Sequence, residues 1–240
     1  MILEIDAGNT FIKWRLVCNN TAVQSGAVRT SLFGPESFDT LAEYAIQQVL
    51  AGSVAGAEFE RALIDVCERL WSLTPLFART QSLCGRVKNS YADPSKMGID
   101  RWLAMVAAYD RAECQVIVVD CGSAITIDFV SKDGQHDGGY IIPGLRLMQE
   151  SLLRNTAQVR FDESVSNLLY VPGTNTAEAV MHGAAFTLNG LALSIRQKAD
   201  AEGAQLFITG GDGALFHKMA GVGQYLPDLV LEALPKVCLS

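Results

Sequence analysis

The 240-residue sequence predicts an α/β fold of two related domains built on one plan. Three observations carry this. A strand, turn, strand unit with D-x-G-[NS]-[TA] at its turn occurs at residues 6–10 and again at residues 120–124, nearly half the chain apart. Apolar strands alternate with helical stretches along the remainder, and no Pro-rich or Gly/Ser-rich linker interrupts the chain. The length suffices for two domains around sizeable cores.

The elements follow in order. Residues 2–5 form an apolar strand, and in residues 11–17 Ile12, Trp14 and Leu16 alternate with Lys13 and Arg15, the period of a half-buried strand. The turn DAGNT between them makes a hairpin. Residues 36–50 have helical composition, and residues 59–70 read as helix or mixed structure. Residues 98–111 are helical, with Leu103, Val106 and Ala107 on one stripe. The stretch 112–114 divides the halves, giving domains 1–112 and 113–240. The hairpin returns as a strand at 116–119, the turn DCGSA, and a strand at 125–130. Helices are expected at 145–156 and 176–201, then a strand at 206–209, the turn GGDG, and a helix at 214–220.

Composition excludes several classes of function. With 49% hydrophobic and 19% charged residues and a mean hydropathy of +0.19, the chain is a compact folded one. A net charge of -7 argues against a broad surface for nucleic acid, so phosphates must be met locally. No basic, then apolar, leader opens the sequence, and residues 179–195, interrupted by His182, Gly183, Asn189 and Gly190, fall short of a membrane span. A cytoplasmic protein with reduced thiols is expected, because the six cysteines include no C-x-x-C pair. His136, His182 and His217 are scattered and read as structural; Asp128 and Asp133 read as solvent-facing turn residues. The stripe of Leu188, Leu191, Ala192 and Ile195 reads as core or dimer interface.

Chemistry concentrates at the turns. Glycine lets backbone N–H groups approach a phosphate, and Gly8 and Gly122 are placed for this. Asn9 and Thr10 add hydrogen bonds, Lys13 can reach a phosphate oxygen, and Asp6 can hold Mg²⁺ directly or through water. The chain has no G-x-x-x-x-G-K-[ST] and no G-x-G-x-x-G, so a nucleotide must be held another way. Taken singly, these residues allow plainer readings. Asp100 reads as a helix N-terminal charge as well as a base, Arg101 as an ion-pair partner of Asp93 or Asp110, Asp120 as a turn cap, and Lys13 as the solvated edge of a strand.

Together, DAGNT at 6–10, GIDRW at 98–102, DCGSA at 120–124, GGYIIPGL at 138–145 and TGGDG at 209–213 resemble the type III pantothenate kinases, motif by motif and in order. The resemblance implies two actin, Hsp70 and sugar-kinase-like (ribonuclease H-like) domains with an interdomain cleft, and a homodimer that phosphorylates pantothenate with ATP in the first step of coenzyme A synthesis. It further implies that Asp6, Ala7, Gly8, Asn9, Thr10, Phe11, Ile12 and Lys13 grip the ATP phosphates and Mg²⁺. Ser123, Gly210 and Gly211 would meet the nucleotide, and Asp120 a monovalent cation, K⁺ or NH₄⁺. Tyr91, Gly98, Ile99, Arg101 and Thr176 would form the pantothenate site, with Asp100 as general base and Arg101 suited to a carboxylate. Residues 59–83 carry no motif. Other expectations stay open: a phosphatase, a kinase for another small hydroxylated acid, or a catalytically silent regulatory homologue, whose trace would be loss of Asp6 or Asp100. Both are present.

Overall fold

The computed structural model describes residues 1–154 and 171–239, so the end of the helix expected at 145–156 lies outside the described residues. The chain divides into two units, Met1–Arg111 with Asp228–Ser240, and Ala112–Pro227. The segment from Asp228 onward, which the sequence reading places in the second domain, packs in the first unit.

The first unit opens with an antiparallel meander, β1 (Ile2–Ala7), β2 (Phe11–Cys18) and β3 (Thr21–Arg29), followed by β4 (Gln48–Ser53), α1 (Ala57–Trp71) and β5 (Leu76–Phe77). A small hairpin, β6 (Leu83–Cys84) and β7 (Val87–Lys88), leads to α2 (Ile99–Ala112). The sheet order is β3-β2-β1-β4-β5, with β4 parallel to β1 and β5. Strand alternation sends Leu3, Ile5 and Ala7 into a core with Ile12, Leu16, Val49 and Ala51, against which α1 lays Phe59, Leu63, Val66 and Cys67. The opposite face of β1 carries Glu4, which is 2% exposed and accepts a 2.5 Å bond from Arg15 Nε across the ladder. Burial pushes the Glu4 carboxyl above its usual 4.5, against the pull of Arg15.

Residues 36–50 are not the expected helix. They hold a short 3₁₀ turn, Asp39–Leu41, and run into β4. Val49, Leu50 and Ala51 pair in register with Leu3, Glu4 and Ile5, and a strand buried among neighbours overrides the helical preference of its residues.

The second unit repeats the plan: β8 (Val116–Cys121), β9 (Ala124–Val130), β10 (His136–Pro143), α3 (Leu145–Arg154), α4 (Thr176–Glu202), β11 (Gln205–Thr209), α5 (Gly213–Ala220) and β12 (Gln224–Tyr225). Its order, β10-β9-β8-β11-β12, and its strand directions match those of the first sheet, as the repeated turn requires. Leu188, Ala192 and Ile195 lie in its core, so that stripe of α4 is core packing. Asn175 caps α4 by accepting the Glu178 N–H at 3.0 Å, and Gly203 ends it in the left-handed region. Asp128 is buried, contrary to its reading as a solvent-facing residue: on β9 it meets His136 Nε2 of β10 at 3.1 Å.

Two short helices, α6 (Leu229–Glu232) and α7 (Leu234–Cys238), complete the first unit, burying Leu229, Val230, Leu231, Leu234 and Val237. They clasp the end of α2: Arg111 makes a two-pronged pair with Glu232 at 2.7 and 2.8 Å, and Lys236 pairs with Asp110. All six cysteines are free thiols, and burial pushes that of Cys67 up to about 12. Among the described residues no helix is long and apolar enough to cross a membrane.

Candidate active site

In the first hairpin, Asp6 stands directly across from Lys13, and Ala7 across from Ile12. Ala7 and Ile12 are buried in the core, which leaves Asp6 and Lys13 on the other face of the sheet. The Gly8 N–H donates to the Phe11 carbonyl at 3.0 Å and closes the hairpin. It is therefore spent within the turn, and the exposed apex residue is Asn9. The same holds in the second hairpin, where the Gly122 N–H donates to the Ala124 carbonyl at 3.0 Å and Ser123 is the exposed apex. In both hairpins the glycine N–H thus closes the turn, and the N–H groups open to a phosphate are those of the residues that follow it.

The N-terminus of α2 gathers a second group. Asp100 lies in its first turn, half-buried, and its Oδ1 accepts the Arg101 N–H at 2.8 Å. A Cβ on Gly98 would stand 2.5 Å from that oxygen, so the absent side chain leaves the carboxylate its place. Arg101 is 5% exposed; its Nη1 donates to the Tyr91 hydroxyl at 2.9 Å. The ion-pair partners considered for it are otherwise engaged: Asp93 caps the turn at Ser95, and Asp110 pairs with Lys236. Asn89 is a residue that sequence reasoning missed. Its Oδ1 accepts the Tyr91 N–H at 2.9 Å and its Nδ2 donates to the Gln81 carbonyl at 3.3 Å, while Thr80 Oγ1 holds the Met97 carbonyl at 3.0 Å. These bonds fix the loop that presents Tyr91, and no periodicity or motif announces them.

In the second unit Asp120, Ser123, Gly210 and Gly211 come together. Asp120 pairs in register with Thr126 on one side and Thr209 on the other. Gly210 has φ +89°, and a Cβ there would lie 2.4 Å from Asp120 Oδ1 and 2.5 Å from the Cys121 carbonyl carbon, a position that only glycine fills. The Asp212 N–H donates to the Cys121 carbonyl at 2.9 Å, and the Gly144 N–H to the Ser123 carbonyl at 3.0 Å. Burial raises the Asp212 carboxyl above its usual value. Thr176 opens α4 and lines an apolar groove of about 470 Å³ with Met148, Leu152, Ala179 and Gly183. Pro143 lines it too, so the groove borders the turn at Gly144.

Among the described residues no cluster of three or more His, Cys, Asp or Glu could hold a metal ion. Single carboxylates such as Asp6 and Asp120 suit ions that take most of their ligands from phosphate, carbonyl groups and water, and Mg²⁺ beside a nucleotide is of that kind.

A family model described as type III pantothenate kinase matches residues 2–198. A relative of that description from Pseudomonas syringae pv. syringae is 37% identical over 246 residues, covering 99% of each chain and so extending past Gly210 and Gly211. Among solved structures, a conserved Campylobacter jejuni protein of the Baf family superposes with a TM-score of 0.61 at 22% identity, over 98% of this chain and 96% of that one. A ROK family glucokinase from Streptomyces griseus, solved with glucose and AMPPNP, gives 0.51 at 12% identity over 100% and 99%. These two show the fold, that of the actin-like ATPases and sugar kinases.

Proposed function

The chain belongs to the type III pantothenate kinase family, and from that premise we propose that it transfers the γ-phosphate of ATP to the terminal hydroxyl of pantothenate, the first step of coenzyme A synthesis. The observation that carries the reading beyond the family match is the group at the head of α2, where a buried guanidinium and a phenol stand beside a helix-end carboxylate. Arg101 and Tyr91 recognise the carboxylate of a small acid through charge-assisted bonds. Asp100 accepts the proton of the attacking hydroxyl as the oxygen closes on phosphorus in line, a role worth about a hundredfold to ten-thousandfold in rate. The hairpin of residues 6–13 grips the phosphates, with Lys13 opposing their charge. Mg²⁺, held by Asp6 and the phosphates, supplies further neutralisation when bound.

In the same reading Asp120 holds K⁺ or NH₄⁺, Ser123, Gly210 and Gly211 meet the nucleotide, and Thr176 contacts pantothenate. A homodimer is supported by the exposed apolar residues of α3 and α4: Leu152, 53% exposed, Phe186, 67%, and Leu193, 40%. The test is ADP release measured with and without pantothenate in the presence of Mg²⁺ and K⁺. Turnover that requires pantothenate is expected; ATP hydrolysis indifferent to it would overturn the assignment.

A further inference from the structure

We propose that Thr30 is a positioning residue for the ATP phosphates, setting the direction of the hairpin apex through its hydroxyl; this rests on the assignment of residues 6–13 to the phosphates. Thr30 follows β3 directly. Its N–H donates to the Thr10 carbonyl at 3.0 Å and its Oγ1 to the Gly8 carbonyl at 2.8 Å, so one residue holds the carbonyls on either side of Asn9.

The consequence for the apex is geometric. Among the described residues all peptide bonds are trans, and in a trans peptide C=O and N–H point in opposite directions. The peptide plane that turns its Gly8 oxygen toward Thr30 therefore turns the Asn9 N–H away from it. Freeing the Gly8 carbonyl would let that plane rotate and the donor wander. The β-branched Thr30 is itself stiff at χ1, which makes its hydroxyl a well-defined anchor.

The repeated plan isolates what is particular to the first unit. In the second unit the residue directly after the third strand is Gly144, and its N–H likewise donates to the turn, at the Ser123 carbonyl. A backbone tie to the turn is thus present in both hairpins, one residue earlier in the second, where Ser123 is the counterpart of Asn9. The side-chain tie is not: a Cβ on Gly144 would stand 2.4 Å from the Gly122 oxygen and 2.6 Å from the Ser123 oxygen, which excludes any hydroxyl there. The hydroxyl belongs to the hairpin that also carries Lys13, where anion donors must be aimed.

The test uses Thr30→Val, which removes the hydroxyl and keeps the branched shape, Thr30→Ser, which keeps the hydroxyl, and Lys13→Ala. The KM values for ATP and pantothenate are measured separately, beside thermal melts. T30V is expected to raise the KM for ATP about three- to tenfold, the effect of one hydrogen bond, leaving the pantothenate KM near its parent value. T30S is expected to restore the parent value. An unchanged ATP KM in T30V while K13A raises it would overturn the role of Thr30 alone, whereas an unchanged ATP KM in K13A overturns the phosphate assignment beneath it. T30S failing as T30V does, or both KM values rising together, marks a merely structural residue and also overturns the proposal. If T30V folds poorly, Thr30→Ala removes the same hydroxyl with less bulk and is read by the same criteria.

Discussion

Replacing Gly98 by Ala separates the position of Asp100 from the stability of the fold. The new methyl carbon would stand 2.5 Å from Asp100 Oδ1, while ordinary contact begins at 3.4 Å, so the carboxylate must retreat by roughly 0.9 Å. The obstructed atom is the end of a side chain, and Gly98 is not among the glycines with positive φ, so the backbone accepts alanine. Stability should therefore stay within about 1 kcal/mol of the parent. Catalysis has no such freedom. The retreat disturbs the 2.8 Å bond from the Arg101 N–H and moves the proton acceptor, and a displacement of about 1 Å can cost on the order of a hundredfold in rate. G98A is expected to lose about tenfold to a hundredfold in kcat, with the KM for ATP little changed. Coupled ADP release gives kcat, and thermal melts monitor the fold. Full turnover by a normally folded G98A would refute the idea that the carboxylate, in this place, takes the proton.

Three other outcomes are expected. Asp100→Asn should keep both substrates bound while kcat falls by at least about a hundredfold, and an unchanged kcat removes Asp100 as the base. Asp120→Ala should abolish stimulation by K⁺ or raise the concentration required; an unaltered K⁺ titration takes Asp120 out of the cation site. Burial holds the Glu4 carboxyl above 4.5, and a group with a raised folded-state pKa costs stability as pH climbs from that value. Glu4→Gln stays neutral throughout, so its melting temperature relative to the parent should rise as pH increases above 4.5; a relative fall would mean that Arg15 outweighs burial.

Local signals were readable where sequence and tertiary context agree. Ile12 and Leu16 alternate because β2 has one buried face, and the paired DAGNT and DCGSA turns announce two sheets that share one strand order. Residues 48–53 were obscured because β4 is buried on a parallel ladder, where apolar run and helix look alike in composition. Asp128 was misjudged because its partner, His136, arrives on a different strand. At the site, residue types such as Arg101 and Tyr91 can be picked out by their chemistry, but Asn89 and Thr30 act through backbone carbonyls and amides that only the folded chain brings near.

The membership of α6 and α7 in the first unit has a consequence for biosynthesis. A ribosome delivers residues 1–111 first, yet the hydrophobic seat of Leu229, Leu231 and Leu234 and the clasp on Asp110 and Arg111 stay open until the segment beginning at Asp228 emerges. Ala112–Pro227 is contiguous, so all of its own residues are made before Asp228. N-terminal domains usually fold first, but here the earlier-made unit keeps apolar surface uncovered until residues beyond Pro227 are made. Nascent chains stalled before Asp228 should be the ones that chaperones hold and proteases find.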